Sequence, residues 1–153
     1  MDSRGTNEKN IDLSADKSVT SKPRISVCEA EGQQLSGLVM MILQYMEQNL
    51  AEFEYKVEEG LRIRCRVVVE VDKGIAITTT FMGEKIIIEN GVVDKPDLYM
   101  KSNYLLLAKI LSGQASPFME FLKGNIKLKA WPRKPFQALR VLRFLKIPAE
   151  LLL

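Results

Sequence analysis

The sequence predicts one α+β domain in which helices gather on one face of an antiparallel sheet. Two patterns support this prediction. The middle of the chain alternates apolar and polar residues with a period of two, whereas the flanking segments repeat apolar residues every three or four positions. Short turns separate the alternating segments, so consecutive strands are expected to be antiparallel. A length of 153 residues suits one domain with its own core better than two.

The first 30 residues differ in composition from the rest. They mix Ser, Asn, Asp, Lys and Thr with isolated aliphatic residues and show no sustained period. We therefore expect residues 1–30 to form a disordered polar leader and residues 31–153 to form the folded domain. The leader lacks the apolar core of a signal peptide. The longest apolar run, residues 35–43, is about half of the roughly 20 residues needed to cross a bilayer.

Residues 35–53 predict the first helix, because their apolar positions fall at helical spacing. A long strand over residues 61–71 follows, with one buried side. Asp72, Lys73 and Gly74 form a turn into a strand over residues 74–82, and Gly83 leads into a strand over residues 84–89. Asn90-Gly91 is the strongest hairpin signal in the chain. The buried face of residues 61–71 is expected to comprise Leu61, Ile63, Cys65, Val67, Val69 and Val71.

The second half of the chain returns to helices. Residues 97–101 predict a short strand, and Ser102 or Asn103 can cap a helix that runs to Leu111 before Gly113. Ser116-Pro117 repeats the pattern, with a cap, a proline at the first helical position and an end at residue 124. Residues 125–131 alternate and predict a last strand. A final helix is predicted over residues 135–146.

The chain contains no histidine, which excludes histidine-based catalytic triads and histidine-ligated zinc. Cys28 and Cys65 are far apart and lie in no C-x-x-C motif, so neither a disulfide framework nor a thiolate metal site is indicated. The carboxylates show no local pairing suited to acid–base chemistry. We therefore expect a non-enzymatic protein of the reduced cytoplasm, without a metal or another cofactor.

A family resemblance lies in residues 97–145. The chain carries DLYM, the leucine-rich helix LLLAKIL before Gly113, and then SPFMEFLKGNIKLKA with Pro117, Phe121 and Gly124. This order resembles the C-terminal half of the sterol carrier protein 2 (SCP2) domain family. The preceding strands are also arranged as in that family, and the resemblance covers about residues 35–148.

The resemblance implies an antiparallel sheet of about five strands, with helices packed on one face and an apolar tunnel between the layers. It also implies a ligand such as a fatty acid, an acyl-CoA, a sterol or a polyprenyl-type lipid, which the protein would bind and either transfer or present to a partner enzyme. Methionines are suited to such a lining because they fill irregular gaps, although methionines at buried spacing are more often ordinary core. The predicted ligand-binding residues are Phe81, Met82, Met100, Leu107, Leu111, Phe118, Met119, Leu122, Trp131, Phe136 and Leu139.

Charge is distributed unevenly along the chain. Residues 1–96 hold 12 cations and 16 carboxylates, whereas residues 97–153 hold 10 cations and 3 carboxylates. The final helix combines a wide apolar arc with a basic stripe, for which docking on an anionic membrane or a partner enzyme and a solvated face are equal alternatives. Nucleic-acid binding is disfavoured, since few aromatic residues accompany the cations. The predicted docking residues are Lys134, Arg140, Arg143 and Lys146.

Overall fold

The computed structural model of the protein describes residues 24–34, 36–130 and 133–145. Its regular elements, in chain order, are strand β1 (Ser26–Glu29), helices α1 (Gly37–Glu52) and α2 (Glu54–Leu61), strands β2 (Arg64–Val71), β3 (Ile75–Met82), β4 (Lys85–Asn90) and β5 (Leu98–Lys101), helices α3 (Tyr104–Leu111) and α4 (Pro117–Leu122), strand β6 (Lys127–Ala130) and helix α5 (Pro135–Leu145). The predicted α+β class is confirmed.

The sheet has six strands in the order β1-β4-β3-β2-β5-β6. The pairs β2–β3, β3–β4 and β5–β6 are antiparallel, as the short turns predict. The pairs β1–β4 and β2–β5 are parallel, so the expectation of a purely antiparallel sheet is wrong. Long stretches of chain separate β1 from β4 and β2 from β5. Parallel pairing requires such a connection, because a tight turn can join only antiparallel strands.

Asn90-Gly91 does not form the predicted hairpin. The chain leaves β4 and enters β5, which pairs with β2 rather than with β4. Because β3 and β2 lie between those two strands, residues 91–97 must cross the pair. The Thr78 hydroxyl donates a hydrogen bond to the Gly91 carbonyl oxygen (2.8 Å), and both Thr78 and Val68 are fully buried on the face that faces away from the helices. The crossing segment therefore covers part of that outer face.

Asn90 instead links β4 to the segment before α1 through hydrogen bonds. Its side-chain amide donates to the Gln34 carbonyl oxygen (2.7 Å), and its backbone N–H donates to Gln33 Oε1 (2.7 Å). The Ser36 hydroxyl donates to Asn90 Oδ1 (2.7 Å) and accepts from the Val39 backbone N–H, which caps α1. Asn90, a residue type that favours turns, therefore helps to fix the position at which α1 begins, because it binds the Ser36 side chain that caps this helix.

Strand β1 and helix α2 are two elements that the sequence patterns missed. Strand β1 lies within the segment predicted as a disordered leader, so the ordered domain begins earlier than residue 31. Residues 1–23 of that leader lie outside the described residues. Helix α2 occupies residues 54–61, which delays the start of β2 to Arg64 and removes Leu61 from the predicted strand.

The helix ends follow the predicted caps and glycines. Asn103 Oδ1 accepts from the Leu106 N–H at the start of α3 (2.7 Å), and Ser116 Oγ accepts from the Met119 N–H at the start of α4 (3.5 Å). Gly113 and Gly124 follow these helices at φ values of 78° and 79°, a left-handed conformation that glycine adopts without steric cost. Local residue chemistry therefore determines both helices.

The main core lies between the inner face of the sheet and the helices. Helices α1, α3 and α5 each contribute large apolar side chains to it, and α2 packs against α1 and α5. The inner face of the strands supplies Cys65, Val67, Val71, Ile77, Phe81, Ile86, Ile88, Leu98 and Met100. Helices thus cover one face of the sheet, as predicted.

The outer face carries a polar cluster that ties β2, β5 and β6 together. Glu70 accepts a hydrogen bond from the Tyr99 hydroxyl and lies 3.2 Å from Lys129 Nζ and 3.4 Å from Lys101 Nζ. The hydrogen bonds from Tyr99 and Lys129, aided by the charges of both lysines, lower the pKa of Glu70 from 4.5 to about 2. This carboxylate is therefore charged whenever the protein is near neutral pH.

We expect Glu70→Gln to make the free energy of unfolding less dependent on pH in the acidic range. Because the pKa of Glu70 is lower in the folded state, its contribution is complete above pH 4.5 and is lost as the pH falls towards 2. Chemical unfolding of the wild type and Glu70→Gln across this range measures the difference. Glu58→Gln, at an exposed position of α2, is the matched control. Parallel profiles for the wild type and Glu70→Gln would contradict the role given to the cluster.

Candidate functional site

An apolar cavity of about 50 Å³ lies between the inner face of the sheet and the helices. Strands β2, β3 and β5 form its floor, α1 and α3 form its sides, and α5 covers it. Of the lining residues in the described part of the chain, only Thr79 and Ser102 carry a polar side chain. The full lining comprises Ile42, Met46, Val67, Val69, Ile77, Thr79, Phe81, Met100, Ser102, Leu107, Ile110, Leu111, Pro117, Ile126, Val141, Leu142 and Leu145.

Strand alternation explains the floor of the cavity. In the β2–β3 register Val67 lies opposite Thr79 and Val69 lies opposite Ile77, and Met100 of β5 lies opposite Val69. Residues directly opposite one another point to the same face of a sheet. The cavity floor is therefore built from every second residue of three adjacent strands, and the residues that the structure describes contribute no charged side chain to the lining.

Helix α5 closes the cavity and is held at both ends. At its start, Gln137 Oε1 accepts a hydrogen bond from the Arg64 backbone N–H (2.9 Å), and Lys134 Nζ donates to the Arg64 carbonyl oxygen (3.1 Å). At its end, the Tyr45 hydroxyl of α1 donates to the Leu145 carbonyl oxygen (2.9 Å). The cover over the cavity is thus attached by a few polar contacts in addition to its apolar packing.

Four of the predicted ligand-binding residues lie together at this cavity, namely Phe81, Met100, Leu107 and Leu111. They come from β3 and from the consecutive elements β5 and α3. The cavity also includes lining residues that the sequence analysis did not name. The sequence pattern places Val67 and Val69 on the buried face of their strand, and the inward positions of α1 and α5 follow the helical period, so burial can be predicted but proximity to a cavity cannot.

The remaining predicted residues lie elsewhere. Met82 is exposed on the outer face, because it follows Phe81 directly in β3 and neighbouring strand residues point to opposite faces. Trp131 lies outside the described residues. The others are exposed because α4 is only six residues long and buries Pro117 alone, and because Phe136 and Leu139 lie on the exposed stripe of α5 rather than on the stripe that buries Val141 and Phe144. These exposed residues are Phe118, Met119, Leu122, Phe136 and Leu139.

The predicted docking residues also differ in their exposure and in their contacts. Lys134 is exposed and lies 3.9 Å from Asp97 Oδ2 in addition to its bond to the backbone. Arg140 is only partly exposed, since its guanidinium lies 3.8 Å from Glu59 Oε2 of α2. Arg143 is exposed, and Lys146 lies outside the described residues. Lys134 and Arg140 therefore have structural partners that compete with a docking role.

Lys56 of α2 is a buried lysine that the sequence analysis missed. Its side chain has no solvent exposure. The ammonium donates a hydrogen bond to Asn49 Oδ1 and lies 5.5 Å, 5.3 Å and 5.8 Å from the ring centroids of Tyr45, Phe53 and Phe144. Burial lowers the pKa of Lys56 from 10.5 to about 8. The sole sequence signal is its spacing from Phe53 and Gly60, which places it on the inward stripe of α2.

Aromatic packing links the surroundings of Lys56 to the wall of the cavity. The Phe144 ring, which lies beside the ammonium, packs edge-on against Phe81 at a centroid distance of 5.8 Å, and Phe81 lines the cavity. Gly60 permits this approach, because a Cβ atom there would lie 3.2 Å from Phe144 Cε2 and 2.6 Å from Ile25 Cδ1. One aromatic side chain therefore separates a buried cation from an apolar cavity.

Two further features concern the described residues alone. They contain no group of three or more His, Cys, Asp or Glu side chains placed to hold a metal ion. None of their helices is long and apolar enough to cross a membrane. Near the cavity, burial raises the pKa of the Cys65 thiol to about 12, which keeps it protonated and weakly nucleophilic.

Neither a family model nor a curated protein sequence matches this chain. Solved structures do match. A sterol carrier protein domain 2 of Helicoverpa armigera is 17% identical over 77% of this chain and 99% of its own, with a TM-score of 0.52. A crystal structure of sterol carrier protein 2 is 15% identical over 67% and 88%, with a TM-score of 0.51. A structure described as "UbiJ-SCP2 Ubiquinone synthesis protein" is 12% identical over 73% and 95%, with a TM-score of 0.52.

The chain has the SCP2-like fold. The resemblance stated from residues 97–145 is thereby confirmed at the level of the fold. The neighbours are matched over nearly their full length, so the likeness concerns a whole SCP2 domain rather than a shared motif. The cavity of this SCP2-like domain lies between the sheet and the helices, where the resemblance implies a tunnel.

Stability of the SCP2-like domain should rise with pH through the titration of Lys56. The folded state binds fewer protons than the unfolded state between pH 8 and 10.5, because the pKa of Lys56 is lowered on folding. We expect the free energy of unfolding of the wild type to increase across this window relative to that of Lys56→Met. Denaturant unfolding at several pH values measures the difference.

Lys85→Met, at an exposed position of β4, is the control for the loss of one lysine charge. It should keep the wild-type pH profile. A Lys56→Met profile that stays parallel to the wild type across the window would show that the ammonium is not desolvated in the folded state.

Proposed function

We propose that this protein binds a long hydrophobic ligand non-covalently between the sheet and the helices, and that it transfers or presents that ligand. The observation that carries the proposal is the almost wholly apolar cavity beneath α5 in a domain of SCP2-like fold. The described residues place no charged group in the lining, so the site is suited to a hydrocarbon. The proposed role is not enzymatic, and its cytoplasmic location stays a prediction.

Ligand binding requires the cavity to expand. Sites for small molecules commonly measure about 300–1,000 Å³, which is several times the 50 Å³ seen here. A closely packed interior has low compressibility, so the cavity can enlarge only if a helix moves as a rigid unit. Helices α4 and α5 are the elements suited to this movement, because α4 buries only Pro117 and α5 is attached by few polar contacts.

The first test is native mass spectrometry of the gently purified protein, followed by extraction and identification of whatever leaves it. A hydrocarbon present at about one molecule per chain supports the proposal. An apo mass, together with no uptake of a neutral fluorescent lipid analogue, contradicts it. Either result is decisive whatever the chemical identity of the ligand.

A cavity-filling variant locates the site. Ile110 is buried and lines the cavity, whereas Lys109 precedes it on α3 and is exposed. We expect Ile110→Trp to lower uptake of the fluorescent analogue at least about tenfold, because the indole occupies the space into which the ligand would enter, at a stability cost of about 1–3 kcal/mol. Lys109→Trp should bind as the wild type does. Equal uptake by both folded variants would place the ligand elsewhere.

A second candidate function is docking on an anionic membrane. It is favoured by an exposed apolar face on α4 and α5, where Leu122 is 61% and Phe136 is 80% exposed. These two helices contact each other, and exposed cations lie on or beside them, among them Lys123, Lys127 and Arg143. Apolar insertion combined with basic contacts to anionic head groups is how peripheral proteins bind bilayers. Such docking would bring the movable helices against the lipid source.

Vesicle co-sedimentation tests this candidate. We expect binding to vesicles that contain phosphatidylserine and weaker binding to phosphatidylcholine alone. Leu122→Glu should weaken binding about tenfold, because it removes one inserted leucine and adds a repelled charge. Ile75→Glu makes a comparable change at an exposed position of β3, away from this face, and should bind as the wild type does. Equal effects of both variants would indicate a general charge effect and contradict the assigned surface.

A further inference from the structure

Lys56 presents a buried positive charge that no carboxylate neutralises within the described part of the chain. Its side chain is fully buried, and its hydrogen-bond partner is the neutral amide of Asn49. Glu59 on the same helix is directed to Arg140 instead. A buried ammonium without an anion costs several kcal/mol, of which contacts with aromatic rings recover a part. Proteins rarely keep such a group unless it serves a purpose that an apolar residue could not.

The ammonium lies beside the cavity rather than at the surface. Phe144 covers it on one side and contacts Phe81, which lines the cavity. Tyr45 covers it on another side, and the next residue, Met46, also lines the cavity. A displacement of the last turn of α5 that moves the Phe144 ring would open a path between the ammonium and the cavity.

Helix α5 covers both the cation and the cavity. The last turn of α5 carries Phe144 over the ammonium and Leu142 and Leu145 over the cavity. It is held to α1 by the hydrogen bond from the Tyr45 hydroxyl to the Leu145 carbonyl oxygen. A ligand that displaces this turn to enter the cavity therefore uncovers Lys56 in the same movement.

We propose that Lys56 is the head-group site for a long-chain carboxylate, whose hydrocarbon tail occupies the cavity beneath α5. The assignment rests on the proposed hydrophobic-ligand function and specifies the class of ligand. Asn49 is placed to assist, because its Oδ1 now accepts from the ammonium and its Nδ2 donates to the Tyr45 carbonyl oxygen (2.8 Å). The ligand carboxylate would replace or share the Asn49 partner and neutralise the charge.

Charge balance favours a carboxylate over other head groups. One ammonium and one neutral amide match one negative charge. A phosphate monoester carries close to two negative charges near neutral pH and would leave one of them buried without a partner. An alcohol or a sterol hydroxyl would leave the ammonium without an anion. The lowered pKa of Lys56, about 8, still leaves the amine mostly protonated near neutral pH.

Displacement of the neutral probe Nile red by three ligands of equal chain length tests the proposal. Dodecanoic acid should compete at least about tenfold better than 1-dodecanol and better than dodecyl phosphate in the wild type. In Lys56→Met the advantage of the acid over the alcohol should disappear. Lys85→Met, at an exposed position of β4, should retain it. Unfolding curves establish that both variants are folded.

The outcomes separate this inference from the function on which it rests. If Nile red and all three ligands fail to bind the wild type, the proposed function fails. If they bind without preference for the acid, or if the preference persists in folded Lys56→Met, the ligand class is wrong while the function survives. A preference for dodecyl phosphate that Lys56→Met abolishes would retain the head-group site and overturn the carboxylate.

A second measurement avoids reliance on a variant. The carboxyl resonance of ¹³C-labelled dodecanoic acid, followed by NMR against pH in the wild-type complex, reports the pKa of the bound head group. Pairing with a buried ammonium should lower that pKa below the ordinary range of a carboxylic acid. A bound carboxyl group with a raised pKa would place it in an apolar environment away from Lys56 and overturn the proposal.

Discussion

The fold depends on covering one apolar face of a sheet with helices from opposite ends of the described chain. Strands β2 and β3 present Val67, Ile77 and Phe81 on the same side, and such a face cannot remain in water. Helix α1 precedes these strands and α5 follows all of them, yet the two meet through the hydrogen bond between Tyr45 and Leu145. Helix α5 therefore completes the cover over the core, and the movement proposed for ligand entry would displace this helix.

Much of this architecture could be predicted because period and local chemistry act over short distances. The alternation of β2 and β3, the caps at Asn103 and Ser116, and the glycines after α3 and α4 all specify structure within a few residues. Asn90-Gly91 shows the limit of such signals. The pair is compatible with a hairpin, but β4 is already paired with β3 and β1 on its two edges, so the chain has to cross the sheet.

The candidate site was less predictable, because it depends on which apolar residues meet in space. Phe81 and Met82 are both large, apolar and adjacent, and strand alternation alone sends one to the cavity and the other to solvent. Phe118, Met119 and Leu122 follow helical spacing as a core segment would, but α4 is too short to bring its apolar side chains under the domain. These rules do not predict the burial of Lys56, since a lysine within a run of glutamates is expected on a solvated face.

The proposed movement of α5 accounts for the exposed apolar face and the buried cation together. Burial of Lys56 costs free energy, of which three aromatic rings and Asn49 offset only a part. An anion brought in by a ligand lowers the free energy of the complex by more than it would for a solvated lysine, because the desolvation has already occurred. Selectivity between ligands would then arise from the head group, whereas a cavity lined by aliphatic side chains distinguishes hydrocarbon tails only by size. Since Phe144 beside the cation and Leu142 and Leu145 at the cavity share the last turn of α5, recognition of the head group and enclosure of the tail would be coupled by one structural element.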